Sequence, residues 1–465
     1  MSKTESANWH TDVAHVVHPY SNLDQHATRG PTVITRGEGC YVYDEQGKRY
    51  FEGMSGLWCA SLGFSEQRLV KAATDQLNTL PYYHMFNHRS HPPGIALAKA
   101  LTAMAPEGLN HVLFANSGSE ANDAAVKLVW YYNNALGRPN KKKIISRLQG
   151  YHGVTVASGS LTGLTHVHLD FDLPIAGILH TDCPSYYHFG QPGESESDFT
   201  KRVVNNLEQM ILKEGPETVA AFIAEPINGS GGVIVPPAGY FEAVQAVLKK
   251  YDILFIVDEV ICGFGRTGEM FGSDSLHLKP DMMTVAKGLS SAYQPISGLL
   301  LTDAIHDVMK AQSRKHGVFA HGLTYAAHPV AAAVALEALN IYRERDIVGH
   351  VKQVAPHMFE RLSALETHPL VGQVRGMGLL AAVEIVQDKT GKKPFPPSAA
   401  MGAWIQARAM EYGVIVRAIG NCIAMCPPLI SERAQLDDMV DGLARAIDDA
   451  LVHARDNKLV DRAAQ

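Results

Sequence analysis

No run of the ~18 consecutive apolar residues that a membrane span requires occurs in this 465-residue chain. Its opening stretch, MSKTESANWHTD, also lacks the apolar segment of a secretory signal. Cysteine is scarce: Cys40, Cys59, Cys183, Cys262, Cys422 and Cys426 are scattered without a CxxC pair. That usage suits reduced thiols in a cytosolic protein better than a disulfide framework. An excess of one charge is missing too, since 47 acidic and 41 basic side chains leave a net charge of −6. Such a balance argues against a dedicated nucleic-acid surface and leaves room for an anionic small ligand in one pocket. The single basic run, Lys141-Lys142-Lys143, reads as a solvated turn between a helix and a strand. Neither a repeat of 20–50 residues nor a low-complexity block is present. Histidine is abundant at 22 residues, and His84 and His88 stand at i, i+4. Neither HExxH nor a Cys/His cluster accompanies them, and Pro81, Pro92 and Pro93 oppose a regular helix there. Structural or surface histidines and no metal centre are expected. The chain therefore reads as soluble and cytoplasmic.

What is there is an ordinary globular composition, with 46% hydrophobic and 19% charged residues, in a length that suggests two or three domains. From about residue 94 to 330, short apolar runs alternate with helix-like segments. HVLFAN (111–116) is followed by a helix from Gly118 to about Leu136 and by KIISR (143–147). VAAFIAEP (219–226), a helix over 240–251, ILFIVDEV (253–260) and MMTVAK (282–287) continue the series. Continuously apolar, β-branched strands between amphipathic helices indicate an α/β fold with a mostly parallel sheet covered on both faces. Beyond about 330 the pattern changes. Two helical stretches (328–345 and 347–366) lead to strands within 371–384, a helix near 398–412, strands VIVR (414–417) and CIAMC (422–426), and a closing helix from Glu432 to about His453. The hairpin-like CYVYDEQGKRYFE (40–52) is expected to pack with this smaller α+β unit. The expected division is 1–60 as an amino-terminal segment packing with the small unit, 61–330 as the large domain and 331–465 as the small one.

Three features carry chemistry. Asp258 ends a buried strand, at the crevice where α/β sheets bind ligands, and a charge there needs a cationic partner. Lys287 ends the run MMTVA, where an ammonium is poorly solvated. In NSGSEAND (116–123) a strand gives way to a helix through Asn116, Ser117, Gly118 and Ser119. Free backbone N–H groups and the positive helix end make this turn a phosphate cradle, or a serine cap with nothing bound. The stretch Gly263-Phe264-Gly265-Arg266-Thr267-Gly268 fits GxGxxG. The following EMFGSDSLHLKPD shows no helical period, so a nicotinamide site is not expected.

Taken together, NSGSEAND, GYHG (150–153), AEPINGSGG (224–232), FIVDEVICGFGRTG (255–268), TVAKGLS (284–290) and HGLTYAAHP (321–329) resemble the class III aminotransferases of pyridoxal-phosphate (PLP) fold type I. The resemblance runs over nearly the whole chain in order and implies the following. Lys287 matches the lysine bonded covalently to the cofactor, and Asp258 the carboxylate that pairs with the pyridinium nitrogen and keeps the ring an electron sink. Ser117, Gly118 and Ser119 match the phosphate turn. Tyr151 matches an aromatic stacked on the ring, with Val260 on its other face, and Glu225 a buried acid near Asp258. Thr324 matches a residue that reaches the phosphate of the neighbouring subunit, which implies a homodimer with shared active sites, or a tetramer of such dimers. Arg417 matches an arginine that binds an α-carboxylate, a task suited to its planar fork. Family members acting on ornithine or 4-aminobutyrate usually pair that arginine with a glutamate, and Ser230 stands in its place here. Trp58 and Phe86 match aromatic walls of the substrate pocket in the amine:pyruvate subgroup. Amino transfer from an amine or ω-amino acid to a keto acid such as pyruvate, with ping-pong kinetics, is the expectation. A diamine, β-alanine or 4-aminobutyrate transaminase and a PLP aminomutase are the alternatives.

Overall fold

The computed structural model describes residues 6–460. Met1–Glu5 and Asp461–Gln465, the outermost ends of the first and last expected units, lie outside the described residues. Seven strands form the central sheet in the order Leu109–Ala115, Ser297–Thr302, Met282–Val285, Leu254–Asp258, Val219–Ala224, Lys143–Arg147, Ile178–Thr181. From Met282–Val285 onward all neighbours are parallel, whereas Ser297–Thr302 runs antiparallel to both of its own. The strand Val219–Ala224 is buried at every position, as expected where helices cover both faces. Phe222 packs with helices Glu196–Glu214 and Tyr240–Lys250. Its neighbours Ala221 and Ile223 pack with helices Gly118–Ala135 and Asp303–His316 on the opposite face. The α/β reading of the sequence is thus met.

Carboxyl-terminal to this layer, helices Pro329–Glu344 and Ile347–Ser363 lead to an antiparallel sheet of Val371–Met377, Leu380–Asp388, Cys422–Met425 and Arg417–Ile419. The hairpin Tyr41–Asp44/Arg49–Glu52 forms as its alternation implies. It joins Ile34–Glu38 on one side and receives Val414–Ile415 in parallel on the other. The run VIVR is therefore not one strand. Val414 and Ile415 complete the amino-terminal sheet, and Arg417 opens a strand of the carboxyl-terminal one. The lysine run is also corrected. Lys141 is buried with its ammonium on the Tyr251 carbonyl, Lys142 donates to the Trp130 carbonyl, and Lys143 lies in the sheet and pairs with Glu214. All six cysteines are free. Among the described residues no helix is long and apolar enough to cross a membrane.

Candidate active site

Asp258 is the last residue of the strand Leu254–Asp258 and is 2% exposed. A carboxylate so deep must spend its lone pairs on donors. Its Oδ2 accepts from Asn122 Nδ2 and His152 Nδ1, each at 2.8 Å, and its Oδ1 accepts the Val260 N–H at 3.0 Å. Three of the roughly four acceptor positions of an ionised carboxylate are thereby filled, and Asp258 faces a cavity with the remaining capacity. Asn122 and His152 are themselves locked. The Asn122 amide also donates to the His152 carbonyl, and the His152 N–H donates to Thr162.

Lys287 follows the next strand, Met282–Val285, and lies in the left-handed region at φ 48°. A lysine gains nothing from that conformation, so the strain is held by its surroundings. Among the described residues its ammonium makes no hydrogen bond or ion pair. It lines the same cavity of about 940 Å³ as Asp258. The GxGxxG stretch opens no helix of more than the four residues Gly272–Ser275, and Arg266 is instead buried on the carbonyls of Leu379 and Pro427.

At another part of the wall, Ser117 caps the helix Gly118–Ala135 in a capping box with Glu120. The Glu120 carboxylate takes the N–H groups of Asn116 and Ser117. The groups left for an anion are those of Gly118 and Ser119 in the first turn, where no intrahelical acceptor exists. Gly118 permits a close approach, since a Cβ there would lie 3.1 Å from both methyls of Val260, which would have to give by a few tenths of an ångström. Tyr151 and Val260 both line the cavity. Glu225, 2% exposed, accepts from the backbone of Tyr151 and Gly229, and burial raises its pKa. An uncommitted amine, a carboxylate with one acceptor position open, an aromatic wall and a helix N-terminus fit the aldehyde, ring nitrogen, ring and phosphate of PLP.

Trp58, Arg417 and Ser230 also line the cavity. Trp58 is buried at φ 64°, and its indole N–H is buried without an acceptor among the described residues. Burial lowers the Arg417 pKa, the hydroxyls of Tyr151 and Tyr20 partly offset that, and no carboxylate pairs with it among the described residues. Phe86 and Thr324 do not reach this cavity within one chain. Both are exposed, on loops that pack on each other. A Cβ on Gly322 would touch the Phe86 ring, and the Tyr82 hydroxyl donates to the Thr324 carbonyl. Sequence reasoning assigns no role to Asn122 or His152, although both stand inside motifs it singles out. Tyr20, whose hydroxyl lies 3.4 Å from that of Tyr151, carries no local signal at all.

The family model described as aminotransferase class-III matches residues 23–447. A probable γ-aminobutyrate transaminase 2, mitochondrial, of Oryza sativa subsp. indica is 55% identical over 418 residues, covering 90% of this chain and 84% of its own. A vanillin aminotransferase of Capsicum chinense is 52% identical over 420 residues, covering 90% of this chain and 92% of its own. Among solved structures, the ω-transaminase of Pseudomonas jessenii in complex with PMP superposes with a TM-score of 0.95 at 52% identity, covering 96% of this chain and 99% of that one.

Proposed function

This chain belongs to the class-III aminotransferases, and from that premise we propose that it moves the amino group of an unhindered primary amine or ω-amino acid onto a small α-keto acid, pyruvate in the first instance. PLP, the cofactor of the class, supplies an electron sink for the charge that develops at the donor carbon. The work left to the chain is positioning and proton transfer. Asp258, fixed by Asn122, His152 and the Val260 N–H, holds a negative charge toward the ring nitrogen. Gly118 and Ser119 offer backbone donors to the phosphate. Lys287 Nζ, without another partner among the described residues, would carry the proton from the donor carbon to the cofactor in the first half-reaction and from the cofactor to the keto-acid carbon in the second; a placed general base of this kind contributes typically ~10²–10⁴-fold.

The observation that carries the choice of substrate is Arg417, a guanidinium in the cavity with no carboxylate partner among the described residues and with Ser230 lining the same cavity. An unpaired arginine is available to the carboxylate of the keto acid in one half-reaction and is not needed by an uncharged amine in the other. The name of the Oryza sativa relative favours 4-aminobutyrate as a second class of donor, its distal carboxylate using the same arginine. A donor panel with pyruvate as acceptor tests the proposal: alanine is expected to accumulate with 1-phenylethylamine and with 4-aminobutyrate. Turnover of neither donor would refute it. We further propose a homodimer in which Thr324 and Phe86, which do not line the Lys287 cavity of their own chain, complete the site of the other subunit.

A further inference from the structure

The helices Ala7–His15 and Leu23–Arg29 are joined by residues 16–22, and from this short segment the fold gathers Asp12, His18 and His26. Asp12 Oδ1 lies 2.8 Å from His18 Nε2 and 3.0 Å from His26 Nε2. The two imidazoles stack at 4.0 Å with 28° between their planes. The three side chains are only 23%, 27% and 11% exposed in sequence order, so the group is half sunk with one side open to water. We infer that Asp12, His18 and His26 form a binding site for a divalent transition-metal ion, zinc above all.

The ligand atoms are already close enough to share one ion, and the two stacked rings would have to turn out of their near-parallel arrangement so that both lone pairs meet it. Zinc bonds nitrogen and oxygen at ~2.0–2.1 Å, which places tetrahedral ligand atoms about 3.3 Å apart. The three ligand atoms here all lie within 4.8 Å of one another, and the two closest pairs open by a few tenths of an ångström around an ion. Two neutral imidazoles and a carboxylate select zinc, nickel or copper over magnesium and calcium, which prefer all-oxygen sets. Water takes the fourth position on the open side. The spacing matches no metal-binding motif, because the ligands converge only when the two helices pack.

Fastening is what the ion would do. The helix Ala7–His15 is already pinned by Ser6 and Asn8 on Glu45, and Trp9 packs on Gly30. The intervening loop, by contrast, exposes Val16, Val17 and Tyr20 and presents Pro19 and Tyr20 to the cavity. An ion bound at both ends of the loop ties down that part of the wall.

The test uses the full-length holoenzyme after chelator treatment, titrated with zinc alone in a calorimeter. One ion per chain is expected. The double variant His18→Ala/His26→Ala loses that binding, whereas His306→Ala keeps it; the latter breaks another stacked histidine pair, His111 with His306 beside Asp303. Asp12→Asn preserves side-chain volume, weakens binding, and covers the case in which the double variant unfolds. Cobalt in place of zinc gives the intense visible absorption of a four-coordinate ion in the parent only. No zinc uptake by the parent, or the same uptake in the double variant and in Asp12→Asn, overturns the inference. None of these readouts depends on amino transfer.

Discussion

Replacing Arg417 by leucine separates the two halves of the proposed reaction. The guanidinium lies in the cavity that holds Lys287 and Asp258, it is partly buried, and among the described residues no acidic side chain pairs with it. Removing one partner of a buried, hydrogen-bonded charge pair costs about 2–5 kcal/mol. Partial solvation of this site places it at the lower end, about 2–3 kcal/mol, or roughly a 30- to 150-fold fall in kcat/KM. That loss is expected for pyruvate in the half-reaction that regenerates the cofactor. The half-reaction with 1-phenylethylamine offers the arginine no carboxylate and is expected to change little. Single-turnover absorbance measurements, with amine added first and keto acid second, resolve the two. Equal losses in both halves would show that Arg417 only supports the cavity wall. No loss in either would show that the carboxylate is bound elsewhere.

Lys287→Ala should abolish the spectral cycle of amine bleaching and keto-acid recovery while leaving the fold intact, as judged by circular dichroism. Trp58→Ala, which empties a buried wall, should raise turnover of amines with a second bulky substituent relative to 1-phenylethylamine. Gly118→Ala should weaken PLP retention during dialysis, because the added methyl meets Val260 at 3.1 Å, and pairing it with Val260→Ala should restore part of the loss. Burial raises the Glu52 pKa from 4.5 to about 7. The folded chain therefore holds a proton there that the unfolded chain has released, and stability falls as pH rises through that window, by up to about 3 kcal/mol. Glu52→Gln should flatten the change in urea midpoint between pH 5 and 8, and an unaltered slope would exclude Glu52 as its source.

The strands around the site are legible because each is a continuous apolar run that must be covered on both faces, and Asp258 and Lys287 stand out as charges closing such runs. The strand Ile178–Thr181 carries no comparable signal, being short and containing His180. The division of VIVR was hidden because all its apolar positions are alike in sequence; only the fold shows Val414 and Ile415 satisfying one sheet and Arg417 another. The lysine run misleads for a related reason. Long aliphatic stems let Lys141 and Lys143 sink while their ammonium groups reach fixed oxygens. Tyr20, and the convergence of Asp12 with two histidines, depend on packing between segments and leave no local trace.

The passage of the chain from one sheet to the next at residues 414–419 has a consequence for how specificity can change. Arg417 is the first residue held by the carboxyl-terminal sheet, opposite Ala424, whereas Val414 and Ile415 just before it belong to the hairpin side. Only Val416, buried at 2% exposure, separates the two allegiances. Reshaping that valine, or the floor beneath it, would re-aim the guanidinium without altering a single atom that touches substrate, so the seam offers selection a remote tuning screw for the acceptor.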